Sequence, residues 1–248
     1  MPSWYPTAPR RNHREARKMT FEKPEDFYAV YDRHRTYVRA DVRKKHVAEF
    51  TRNIWGPAGF QTSHRVVEFG CGVGLFLAYL AKMGITDFTG VEMDPKTRDF
   101  MPPHVAERVL TTNIAAFLDG HDGKPFDRIV LLDVFEHFSY VEGVKLLEDL
   151  KPLLAPGGKL VLRTPNCASP WGLQFQYNDL THKANYAPGN IGHVALAAGM
   201  KAEACLSYTR GSWSRRLTTK LVEGTLNRLL TDPPPVWTAN FITIISTA

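Results

Sequence analysis

Short apolar runs alternate with amphipathic stretches over most of the chain. Arg65–Phe69 (RVVEF) is an apolar run that leads straight into a glycine-rich turn. Val73–Met83 has helical spacing, and Gly84 stands where a helix C-cap is expected. Asp87–Met93 and Arg108–Thr111 read as further strands, with a short helix over Asn113–Leu118. Phe126–Leu132 is apolar enough to be a strand buried on both faces. A helix over Tyr140–Leu154 closes at Pro156-Gly157-Gly158, and Lys159–Arg163 is a fifth strand. The pattern then breaks over Pro165–Pro188, which is expected to be irregular. It resumes as a helix over Asn190–Ala198, a strand over Lys201–Thr209, a helix over Ser212–Leu230 and a last strand over Val236–Ser246. Strand–helix alternation of this kind predicts an α/β fold, a doubly wound and mostly parallel sheet with helices on both faces.

Upstream, Phe27, Val30, Tyr31, Tyr37, Val38, Val42, Val47 and Phe50 recur at steps of three and four, which predicts one or two helices over about 24–55 covering the domain. Residues 1–20 carry proline and arginine with little apolar periodicity and read as a flexible basic arm. Residues 21–248 are expected to form one domain, with a substrate-facing insertion at about 165–190.

The net charge of +6 is uneven. Residues 1–50 hold 12 Lys/Arg against 7 Asp/Glu, and residues 51–206 hold 14 against 16. A basic end can attract phosphate, but a solvated surface is the simpler reading. No apolar run is long enough to span a bilayer. The basic N-terminus has no apolar stretch behind it, so no secretory signal is expected. Cys71, Cys167 and Cys205 are widely spaced and lack metal-ligand spacing, which fits a reducing cytoplasm.

The chemistry concentrates in Val66-Val67-Glu68-Phe69-Gly70-Cys71-Gly72-Val73-Gly74. Glycines there let the backbone turn tightly and let a ligand approach closely. The following helix presents unpaired N–H groups. A dinucleotide fingerprint wants its third glycine three places after the second, where this chain has Leu75. Glu68, two residues before the first glycine, would repel a pyrophosphate but can face an ammonium group. The turn therefore favours a ligand with an amino acid end.

These residues resemble the class I S-adenosylmethionine (SAM)-dependent methyltransferases. The resemblance covers roughly 60–200 and implies a Rossmann-like fold with a C-terminal antiparallel strand and a helical N-terminal cover. It implies that Glu68, Gly70, Cys71 and Gly72 hold the amino acid end of SAM. Glu92, in Gly90-Val91-Glu92-Met93, matches the family acid that bonds the ribose hydroxyls, with Met93 beside it. Asn113 and Ile114 fall at the adenine position. Asp133 and Val134 open a segment, D-V-F-E-H, that resembles one contacting the methionine end. Thr164-Pro165-Asn166, Asp179-Leu180-Thr181-His182 and Ala198-Gly199-Met200 resemble a bacterial branch often associated with glycans.

Methyl transfer to a hydroxyl needs a proton acceptor or a metal that acidifies the hydroxyl. His137 and His182 are the candidate bases, each weighed against a structural histidine. The expected reaction is O-methylation of a sugar, glycan or small molecule; Trp171, Phe175, Tyr177 and Tyr186 would suit a sugar acceptor. One alternative is a metal-dependent RNA 2′-O-methyltransferase. There Asp133, Glu136, His137 and His182 would hold a divalent ion, although a metal cofactor is not the favoured reading. A second alternative is a non-catalytic SAM-fold module, which the presence of both Glu68 and Glu92 disfavours.

Overall fold

The computed structural model describes residues 22–28, 30, 36–121 and 123–247. The expected basic arm at 1–20 lies outside them. Seven strands form one sheet in the order β3-β2-β1-β4-β5-β7-β6. The strands are β1 (Val66–Phe69), β2 (Phe88–Glu92), β3 (Val109–Thr111), β4 (Phe126–Leu132), β5 (Leu154–Pro165), β6 (Met200–Ser207) and β7 (Asn240–Thr247). Pairings from β3 through β5 are parallel, whereas β7 runs antiparallel to both β5 and β6. The expected C-terminal antiparallel strand is thus inserted between its neighbours rather than added at the edge.

Alternate residues of the central strands feed two cores. Val67, Phe69, Ile129 and Leu131 face one, with α5 (Tyr140–Leu150) and α7 (Pro188–Ala197) packed over it. Val66, Val130 and Val161 face the other, under α1 (Lys44–Phe50) and α2 (Leu75–Lys82). Burial on both faces explains why these strands read as unbroken apolar runs. The sheet order reverses between β1 and β4, the place where doubly wound folds open a crevice at the strand carboxyl ends.

Four expectations need correction. The helical reading of 24–55 is met by a 3₁₀ turn at Pro24–Phe27, by helical backbone at residues 28 and 30, and by α1, which continues as a π turn over Thr51–Trp55; residues 29 and 31–35 lie outside the described ones. Residues 36–43 are not helical. Tyr37 and Val38 lie along the crevice, and the Ala40 N–H donates to the Phe100 carbonyl. Their apolar spacing serves a strap, not a helix face. Second, Pro156-Gly157-Gly158 lies within β5. The register jumps there from Phe126↔Leu154 to Arg128↔Lys159, and Gly157 takes φ 73°. Third, the stretch expected to be irregular contains α6 (Pro170–Tyr177), with Ser169 as its N-cap and Pro170 in its first turn. Fourth, the last strand begins at Asn240, because the preceding backbone is held by Asn166, which donates to the Val236 and Thr238 carbonyls. Further helices include α3 (Pro103–Ala106), α4 (Ile114–Gly120) and α8 (Trp213–Leu229).

Candidate active site

The turns after β1 and β4 meet at the crevice and wall a cavity of about 840 Å³. Gly70, at φ 67°, packs so tightly on the β4 turn that a Cβ there would fall 2.4 Å from Val134 Cγ2. Gly74 is equally constrained, its Cβ position lying 2.7 Å from Val105 Cγ1. Gly72 differs. It too has positive φ, 53°, but a Cβ would meet no protein atom within 4 Å. Two glycines therefore serve packing, and the third leaves open space on the cavity wall.

Glu92 at the end of β2 braces this turn. Its Oε2 accepts the Gly72 N–H at 2.7 Å and its Oε1 accepts the Asp94 N–H at 2.9 Å. Each oxygen keeps a lone pair for another donor. Asp94 caps the 3₁₀ turn at Pro95–Phe100, as its position before proline suggests, and it also accepts the Tyr37 hydroxyl at 2.6 Å. Asp94 so ties the strap to the cavity rim.

Glu68 is buried on β1 and lines the cavity, and its Oε2 has no hydrogen-bond partner among the described residues. Burial pushes its carboxyl well above the usual range; Arg163 opposes this shift and Glu92 adds to it. A buried carboxyl oxygen without a donor is costly to keep. A cationic group in the cavity would satisfy it. The orphaned Glu68 oxygen, the open wall at Gly72 and the spare lone pairs of Glu92 together fit the ammonium end and diol of SAM.

Arg163, at the end of β5, also lines the cavity and was not singled out from the sequence. Its Nε and Nη2 donate to Asp133 Oδ1 and Oδ2 at 2.8 and 2.5 Å, a bidentate fork, and its Nη1 donates to the Tyr208 hydroxyl at 2.9 Å. Tyr208 in turn donates to Glu49 of α1 at 2.7 Å. Asp133 is the sole non-glycine residue at positive φ (59°) among those described, so the fork holds a strained turn. The carboxylate raises the already high guanidinium pKa further, which keeps Arg163 charged despite its burial. One detectable signal was a charged residue closing the apolar run of Lys159–Arg163.

The candidate bases separate. His137 lies on the cavity wall; His182 does not line it. Their rings meet edge to face with centroids 4.7 Å apart. Thr181 Oγ1 donates to Asp179 Oδ1 at 2.5 Å and stands 3.0 Å from His137 Nδ1. His182 Nδ1 lies 3.0 Å from the Gln176 carbonyl oxygen, with Nε2 4.0 Å from Glu136 Oε1 and 3.9 Å from Asp179 Oδ2. Burial, reinforced by Asp133, pushes the Glu136 carboxyl well above the usual range. His137, Asp179 and His182 are close enough to share a metal ion, with Glu136 adjacent to His182. Asp133, the fourth residue of the expected metal set, is engaged by Arg163 instead.

Of the expected cofactor residues, Glu68, Gly70, Cys71, Gly72, Glu92, Met93, Asp133 and Val134 share the cavity wall. Asn113 and Ile114 do not line it. Asn113 Oδ1 accepts the Ala116 N–H as the N-cap of α4. Trp171, Phe175 and Tyr177 stand exposed away from the cavity. Tyr186 is fully buried, its hydroxyl donating to the Phe138 carbonyl, which rules it out as an acceptor platform.

Comparison with known proteins places this geometry. A family model described as a methyltransferase domain matches residues 11–199. A ubiquinone biosynthesis O-methyltransferase of Caulobacter sp. (strain K31) is 30% identical over 129 residues, covering 50% of each protein. A protein N-terminal and lysine N-methyltransferase of Yarrowia lipolytica is 31% identical, covering 42% of this chain and 48% of that one. The chain thus spans about half the length of these curated relatives. A SAM-dependent methyltransferase from Archaeoglobus fulgidus has the same fold, with TM-score 0.61 at 20% identity over 88% of this chain and 99% of its own. With its Rossmann-like sheet and more than half of its length matched, the chain belongs to the methyltransferase-domain family, and its cofactor is S-adenosylmethionine.

Proposed function

We propose that this chain transfers the methyl group of SAM to a hydroxyl of a small molecule or sugar, with His137 as the proton acceptor. Bound in the cavity, the cofactor supplies an electrophilic methyl carbon. Glu68 and Gly72 would hold its amino acid end and Glu92 its ribose. Positioning donor and acceptor in line is then the main source of rate, worth roughly 7–11 kcal/mol in favourable cases.

The observation that carries the hydroxyl reading is the order of hydrogen bonds behind His137. The Thr181 hydroxyl gives its proton to Asp179, so its lone pairs accept from His137 Nδ1–H. The Thr181 carbonyl, 3.3 Å from the same nitrogen, favours the same tautomer. Nε2 is left as the basic nitrogen of a ring on the cavity wall. His182, one layer behind, packs against His137 and supports it. The relative named for ubiquinone biosynthesis is an O-methyltransferase, which agrees with a hydroxyl acceptor. The exposed position of Trp171, Phe175 and Tyr177 gives the polysaccharide form less support than the small-molecule form.

The test combines radiolabelled SAM, a panel of phenols, catechols and sugars, and the His137→Ala variant. Methyl incorporation into a hydroxyl is expected, with the variant keeping SAM affinity while turnover falls about 10²–10⁴-fold and one limb of the pH–rate profile disappears. Transfer only to amines would refute the hydroxyl reading. The cluster of His137, Asp179 and His182 makes metal assistance the second reading. Chelation separates the two, since the base reading expects no loss of rate.

A further inference from the structure

α8 is a 17-residue helix with no buried side chain. Steps of four set Trp213, Leu217 and Leu221 in one stripe, and Trp213 and Leu221 are 70% and 64% exposed. The stripe faces solvent, Leu217 being 45% exposed as well; of the part-buried residues, Leu226 lies opposite it and Arg216 borders Trp213 one turn on. Arg215, Arg216, Lys220 and Arg228 stand against the single acid Glu223, a net +3 on this helix. A soluble helix normally turns its apolar stripe inward. This one turns it out, beside a surplus of positive charge.

A second exposed apolar surface lies nearby. Trp171, Phe175 and Tyr177 of α6 face solvent, followed by exposed Leu180. Both helices are tied to the segment 236–239. Ser169, the N-cap of α6, donates to the Trp237 carbonyl, and Trp237 Nε1 donates to Asn227 of α8 at 2.7 Å. Both also spring from the cavity end of the sheet. α6 follows the end of β5, and α8 connects the end of β6 to the start of the antiparallel β7. Asn240 at that start reaches Asp133 on the cavity wall.

We propose that α8, flanked by the aromatic side of α6, docks the protein on an anionic lipid bilayer. The helix lies in the interface with Trp213, Leu217 and Leu221 among the acyl chains and its arginines and lysine at the headgroups. No helix among the described residues is long and apolar enough to cross a membrane; the proposed contact is with the membrane surface. Nucleic acid would match the charge but leave the leucines and tryptophan without a partner. A second copy of the chain would bring two +3 helices together. A bilayer satisfies both the stripe and the charge. Because the patch shares the cavity end of the sheet, docking brings the cavity close to the membrane surface.

The test is co-sedimentation of the full chain with phosphatidylcholine vesicles, with and without phosphatidylglycerol, at low and high salt. Binding to the phosphatidylglycerol vesicles, weakened by salt, is expected. The double variant Leu217→Ser/Leu221→Ser and the double reversal Lys220→Glu/Arg228→Glu should each weaken it by about tenfold or more while leaving melting temperature and SAM affinity unchanged. Equal affinity for both vesicle types, or none for either, would overturn the proposal. So would RNA binding indifferent to the leucine variant, or a dimer by light scattering that the leucine variant dissociates. The vesicle assay needs neither SAM nor an acceptor, so its outcome is independent of the proposed methyl transfer.

Discussion

Glu68→Gln separates the cost of the empty site from its use. Without ligand, Glu68 is a buried carboxyl with one unpartnered oxygen, and burial holds its pKa well above the ordinary value. The folded chain therefore binds a proton at this site at pH values where the unfolded chain has released it. Stability falls as pH rises from the unfolded pKa toward the folded one. Glutamine mimics the protonated form and removes that loss, so the ligand-free variant should melt at the same or a higher temperature at neutral pH. SAM affinity should move the other way. One hydrogen bond between a carboxylate and an ammonium is worth about 1.5–3 kcal/mol, so its loss weakens binding roughly 10- to 100-fold. Ionisation adds a second signature. A proton carried in the empty site leaves when an ammonium enters, so wild-type affinity rises with pH up to the raised pKa of the free site. Calorimetry in buffers of different ionisation enthalpy would register that proton, and the variant would not release it. Unchanged SAM affinity in Glu68→Gln, with no proton released by the wild type, would refute the assignment of Glu68 to the ammonium end.

Glu92→Ala should lower SAM affinity about tenfold or more in titration calorimetry, through loss of a charged acceptor and of the brace on Gly72. The glycines should part in their effects. Gly70→Ala places a methyl 2.4 Å from Val134 and should strongly destabilise the fold in thermal melts, whereas Gly72→Ala should cost only about 1–2 kcal/mol of left-handed backbone strain yet impair SAM binding. Arg163→Met leaves Asp133 without its fork, and because Asp133 is partly exposed the loss should sit near the lower end of the range for a buried pair, about 3 kcal/mol by denaturant titration. His182→Ala should reduce turnover more than SAM affinity, measured by single-turnover labelling, because His182 packs on His137 and lies off the cavity wall.

The parts of the site legible in the sequence are those contained in one strand–turn–helix unit. Glu68, Gly70, Gly72 and Gly74 fall within seven consecutive residues, so spacing alone relates them. Glu92 followed because β2 is the next strand and its carboxyl end meets the same turn. The reading of 24–55 failed where apolar spacing has two possible causes. Tyr37 and Val38 are apolar because a strap crosses a cavity, and no periodicity distinguishes that from a helix face. The network behind the cavity was illegible for a different reason. Arg163 is 30 residues from Asp133 and 45 from Tyr208, and Tyr208 is 159 from Glu49. These residues meet because β7 inserts between β5 and β6 and leaves the end of β6 facing α1, a consequence of strand order rather than of local pattern. The same insertion sets α8 at the cavity end of the sheet. Its amphipathic spacing was visible in the sequence, but the direction of its apolar stripe was not, since periodicity defines a face without saying what covers it. That difference lets vesicle binding be tested on α8 apart from the cofactor pocket: the residues of its stripe are exposed and do not line the cavity, so their substitution is expected to alter one surface and leave the other intact.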